Sequence, residues 1–131
     1  MVETISSDAG VLCHILRAGP PPDRTVFVTD PDAALQVGHI VHPRGHVIRR
    51  HLHVSTERTI RTTAEVLLVR RGRCEIDVYD AAGRLVRTAE LQEGDVLVML
   101  AGGHGFRMLE DTVLLEVKQG PYHGAGEKEP F

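Results

Sequence analysis

The chain of 131 residues contains no tryptophan, and only three phenylalanines and two tyrosines. Any core must therefore be filled by aliphatic side chains, chiefly Val, Leu and Ile. It also lacks a basic excess. Fifteen Lys and Arg against 18 Asp and Glu leave a formal charge of -3, which argues against a nucleic-acid binder. No apolar run approaches the roughly 18 residues of a membrane-spanning helix. The first residues, MVETISSDAG, show neither the basic start nor the apolar stretch of a secretory leader, so a cytoplasmic protein without membrane partners is expected. Cysteine is scarce as well. Cys13 and Cys74 stand far apart, outside any CxxC or Cys/His finger spacing, and read as small buried hydrophobes.

What is present is a regular alternation of turns and short apolar segments. Turn signals recur at GPPPD (19–23), DPD (30–32), HPRG (42–45), RRG (70–72), DAAG (80–83), QEG (92–94), AGGHG (101–105) and LED (109–111). Between them lie VLCHILR, TVFV, LQVGHIV, HVIRRHLHV, EVLLVRR, CEIDVYD, RLVRTAEL, DVLVML and TVLLEVK. Many short β-branched segments joined by tight turns predict an all-β sandwich or barrel. CEIDVYD alternates, with Glu75, Asp77 and Tyr79 opposite Ile76 and Val78, and YDAAGRL reads as a hairpin turn. The one short helix the pattern allows is around Asp32 to Leu35. The length suits a single domain. Within it, residues 1–25 read as an N-terminal arm that either joins the sheet or serves a dimer interface, 26–122 as the main β domain and 123–131 as a flexible polar tail.

Histidine is the abundant chemical group. Eight are present, so one HxH pair is weak evidence by itself. Geometry sharpens it: residues two apart on a strand project from one face, so His51 and His53 can address one ion with Leu52 turned away. Glu65 opens the apolar run EVLLVRR, an odd position for a carboxylate unless something neutralises it. His104 sits in AGGHGF, where glycines permit a tight turn.

These spacings resemble a family. Gly45, five residues, His51, one residue and His53, then Glu65, six residues and Gly72, resemble the first cupin motif, G-x5-H-x-H-x3,4-E-x6-G. The stretch GDVLVMLAGGH, Gly94 to His104, resembles the second, G-x5-P-x-G-x2-H-x3-N. The resemblance covers about Leu35 to Lys118. Departures are specific. Eleven residues separate His53 from Glu65, with Glu57 as a competing carboxylate; Leu100 stands in place of the proline; the last gap is one residue short; and the Asn is absent. The resemblance implies a double-stranded β-helix, the cupin jelly-roll barrel. It further implies a divalent metal held by His51, His53, Glu65 and His104. Three imidazoles and a carboxylate suit Fe, Mn, Ni or Zn; an octahedral ion that keeps two open positions favours Fe or Mn over tetrahedral zinc.

Around this set, the segment 44–73 carries eight arginines, a local excess that favours a small anionic ligand. By alternation Arg49 shares a face with His51 and His53, and Arg61 shares one with Glu65. Those two are the expected substrate contacts. The expected function is a metal-dependent cupin enzyme of dioxygenase, isomerase/epimerase or decarboxylase type. The alternative is a non-catalytic metal and ligand binder used in sensing or storage. No individual residue is assigned a catalytic role. A homodimer through an edge strand or the N-terminal arm is the expected assembly.

Overall fold

A computed structural model describes residues 1–131. Ten strands form: β1 (Val2–Ser7), β2 (Gly10–Leu16), β3 (Val26–Phe27), β4 (Gly38–His39), β5 (Glu65–Arg71), β6 (Arg73–Tyr79), β7 (Leu85–Gln92), β8 (Val96–Met99), β9 (Gly103–Met108) and β10 (Val113–Lys118), followed by a 3-10 turn at Ala125–Glu127. They make a five-stranded sheet in the order β1-β2-β8-β5-β10, a three-stranded sheet β7-β6-β9 and a small ribbon β3-β4, with every pairing antiparallel. The all-β expectation holds. The sheets remain separate, with no closed barrel.

The core lies between the two larger sheets and is aliphatic throughout. Ile5, Cys13, Ile15, Leu67, Val69, Leu97 and Met99 come from the five-stranded sheet. Cys74, Ile76, Val78, Ala89 and Leu91 come from the other, with Phe106 and Leu114 packed against them. Period-two alternation explains the division. In β6 Cys74, Ile76 and Val78 are buried while Glu75, Asp77 and Tyr79 lie at the boundary, as the sequence alternation predicts. Both cysteines are buried and unpaired, and desolvation pushes the Cys13 thiol up to about 11.

Turn chemistry sets the strand order. The β5–β6 turn needs Gly72: its φ is +90°, and a Cβ there would meet the Asp111 carbonyl at 2.3 Å, so no other residue fits. At the β6–β7 turn Asp80 Oδ1 accepts hydrogen bonds from the amides of Ala82 and Arg84, both at 2.9 Å. The Arg84 amide first, then its guanidinium, hold the Asp80 carboxyl below its ordinary range. The N-terminal segment is tied in by a buried carboxylate. Asp95 is fully buried and accepts from Arg17 Nη1 at 2.8 Å, the Ala18 amide at 2.7 Å and the Gln92 amide at 3.1 Å. Arg17 also donates to Glu3 at 2.8 Å. Val2–Ser7 and Gly10–Leu16 are thus full strands of the larger sheet.

Three local expectations differ from the structure. The Asp32–Leu35 region forms turns and bends rather than a helix. TVFV and LQVGHIV contribute only the two-residue strands β3 and β4. HVIRRHLHV forms no strand: residues 40–64 contain no regular element, and 42–63 are exposed throughout.

Candidate functional site

Glu65 is the first residue of β5, opposite Met99 of β8 on one side and Lys118 of β10 on the other. Its side chain shares the inward face with Leu67 and Val69, which explains a carboxylate at the head of an apolar strand: the strand's period sends it toward the core. The residue is 8% exposed. Just before it, the buried Ala64 amide donates to Gln119 Oε1 at 2.7 Å, which pins the point where the loop enters the sheet.

His104 comes from the opposite sheet. It is the second residue of β9, registered against buried Val78, and it shares a face with Phe106, whose ring lies 5.7 Å away edge-on. The two sheets thus bring His104 Nε2 to 3.1 Å from Glu65 Oε2. That distance permits charge pairing, yet Oε2 has no hydrogen-bond partner, so the imidazole stands close without the direction a hydrogen bond requires. A buried acceptor left this way is costly. It marks a position that a cation or a donor group would satisfy.

The pair opens into a cleft of about 890 Å³ lined also by Thr63, Tyr79, Met99 and the glycines 102, 103 and 105. Residues 127–131 form its far wall. A smaller adjoining recess, about 320 Å³, shares Thr63 and Glu65 and adds Lys118 and Tyr122. Lys118 lies 3.5 Å from Glu116 and 5.9 Å from the Tyr122 ring.

His51 and His53 stand elsewhere. Both are on the exposed segment, their rings 5.3 Å apart, and His51 Nδ1 lies 2.9 Å from the Arg49 carbonyl oxygen. Nowhere do three or more His, Cys, Asp or Glu side chains converge on one ion position. Of the four ligands implied by the motif, the structure joins Glu65 and His104 and leaves the two histidines of the HxH pair in solvent. Arg49 and Arg61 are likewise exposed and do not line the cleft. Glu57, the competing carboxylate, is exposed, whereas Glu65 is buried beside an imidazole. His42 and His46 stack at 4.0 Å on the same exposed segment.

The sequence patterns do not single out Tyr79 or residues 127–131 as cleft walls. Tyr79 and Lys118 each end an alternating strand, and their alternation alone could have placed them near a sheet end. Nothing in HGAGEKEPF signals a cleft wall. The chain matches no known family model, no curated protein and no solved structure.

Proposed function

We propose that the chain is a metal-dependent protein of the cupin type that acts on a small anionic molecule at the Glu65–His104 cleft. The observation that carries this reading is the buried, unpartnered Glu65 oxygen facing an imidazole across an open cleft. The donor set fits a divalent ion: a carboxylate and an imidazole are compatible with Fe, Mn, Ni or Zn, and coordination positions left open for a ligand favour Fe or Mn. Glu65 and His104 would hold the ion, with His51 and His53 supplied by the exposed segment. A bound ion would supply Lewis-acid polarisation or dioxygen activation.

The chain's own groups do the rest. The aliphatic core beneath Glu65 fixes the carboxylate, and β9 fixes the imidazole opposite. Lys118, in the recess beside Glu65, meets the negative group of the ligand. Eleven residues between His53 and Glu65 span up to about 36 Å when extended, so the segment has the reach to approach the cleft. A dioxygenase, isomerase/epimerase or decarboxylase is consistent with this arrangement. One observation favours the binder alternative. The cleft's titratable side chains other than Glu65 and His104 are Tyr79 and groups on its outer wall, which leaves few candidates for separate acid–base work.

The test is metal content and cation affinity of untagged protein, measured with Mn(II) and with Fe(II) under anaerobic conditions. Glu65→Ala, His104→Ala and His51→Ala are each expected to weaken binding more than about 100-fold, beyond the loss of an outer-shell partner. Glu57→Ala is expected to bind like the parent. Undiminished binding in Glu65→Ala and His104→Ala would sink the site.

A further inference from the structure

The C-terminal residues form one wall of the cleft, and their attachment is unusual. Glu127, Lys128, Glu129, Pro130 and Phe131 line the same cleft as Glu65 and His104. Their backbone hydrogen bonds are local: the Glu127 amide to Gly124 and the Lys128 amide to Ala125. No hydrogen bond or ion pair ties residues 125–131 to either sheet. Their one aromatic contact with the sheets is the Phe131 ring. Phe131 lies 5.0 Å from Tyr79, edge to face at 88°, in a notch that exists because two neighbours lack side chains. A Cβ at Gly103 would come within 2.8 Å of the Phe131 ring, and one at Gly83 within 3.3 Å. Gly103 directly precedes His104, so the ring is seated next to the reactive pair.

We propose that residues 127–131 are a strap latched along one side of the cleft by the Phe131 ring, and that its release widens the access of an anionic ligand to Glu65 and His104. The chemistry gives the strap a selective effect. It contributes two carboxylates, Glu127 and Glu129, and one ammonium, Lys128, to a wall that already holds Glu65. Latched, it presents net negative charge to an approaching anion; released, it leaves Lys118 as the nearest cation in the adjoining recess. A single aromatic pair is a weak anchor, so opening is frequent under ordinary conditions. This inference rests on the reading of Glu65 and His104 as the functional pair.

The experiment is carbethoxylation of the full, metal-free chain with diethylpyrocarbonate, followed residue by residue by mass spectrometry. The rate at His104 is read against exposed His53, and buried His14 reports any general loosening of the fold. Phe131→Ala is expected to raise the His104:His53 ratio about five-fold, the opening expected when one aromatic pair is lost. Phe131→Tyr keeps the ring and is expected to stay near the parent ratio, with His14 protected in all three proteins. An unchanged ratio in Phe131→Ala overturns the strap, as does a rise in Phe131→Tyr equal to that in Phe131→Ala. Because no metal is present, failure of the metal-binding reading leaves this outcome untouched, and the converse also holds.

Discussion

β6 and the histidine segment 46–54 look alike as strings: both are short, rich in β-branched residues and bounded by turns. Their fates differ completely. β6 lies between β7 and β9 with its apolar face sealed in the core. The histidine segment has no strand partner, and its Leu52 is 94% exposed. Of 51 backbone–backbone hydrogen bonds, 37 lie within the strands, while residues 42–63 make one, from the His46 amide to Pro43. The cause is visible in the side chains. On β6 one face is Cys74, Ile76 and Val78, wholly apolar. In the histidine segment one face reads Val47, Arg49, His51, His53 and the other Ile48, Arg50, Leu52, Val54. Each carries an arginine, so neither can be buried without stranding a guanidinium. Alternation alone does not make a core strand; β6 also offers one face made only of apolar side chains.

The contrast is testable by substitution. Asp95→Ala, which leaves Arg17 without its buried partner, is expected to cost about 3–5 kcal/mol. Leu52→Ala is expected to change stability by less than about 0.5 kcal/mol. Chemical denaturation of both variants measures the difference; a Leu52→Ala loss comparable to that of Asp95→Ala would mean the segment is packed. A second measurement sharpens the same point. Amides of residues 47–63 are expected to exchange with solvent close to their unprotected rates, while those of Ile76 and Val78 exchange only through unfolding of the sheet. Adding Mn(II) is expected to slow exchange at 49–54 if His51 and His53 join Glu65 and His104. Protection there without metal would break the comparison.

The smallest expected effect is a pH dependence within the body. Desolvation lowers the His14 pKa below its ordinary 6.5, and Thr4 Oγ1 lies 2.9 Å from its Nδ1. The unfolded chain then takes up a proton at a higher pH than the folded one. Stability is therefore complete above pH 6.5 and falls as pH drops from 6.5 through the lowered folded value. Denaturation midpoints across this window should show that slope, and His14→Gln should flatten it. An unchanged slope in the variant would assign it to another group.

Much of the body was legible before the structure. The turns at Gly72, Asp80–Gly83 and Gly94 fall where their residues predict, and the inward face of β6 follows from its spacing. Glu65 is a case where a local anomaly has a structural counterpart: a carboxylate heading an apolar strand is buried and lies beside His104. The segments that failed did so for physical reasons. TVFV and LQVGHIV contain β-formers, but only two residues of each form a regular strand, extended by a single backbone bond from the Val28 amide to the Val37 carbonyl. HVIRRHLHV has the spacing of a strand, but Arg49 and Arg50 put a guanidinium on each face and neither can be buried.

By itself, the sequence determined the class of the fold, because period-two apolar patterns and turn residues act locally and admit few alternatives. It also determined the chemical types available, an imidazole-rich and carboxylate-bearing chain with an aliphatic core. Only the tertiary structure decided which of those groups meet. The approach of Glu65 to His104 depends on two sheets packing across a core, and the seat of Phe131 depends on glycines 20 or more residues away along the chain. Such contacts carry no local signal, since their energy comes from surfaces that meet only after the strands have paired.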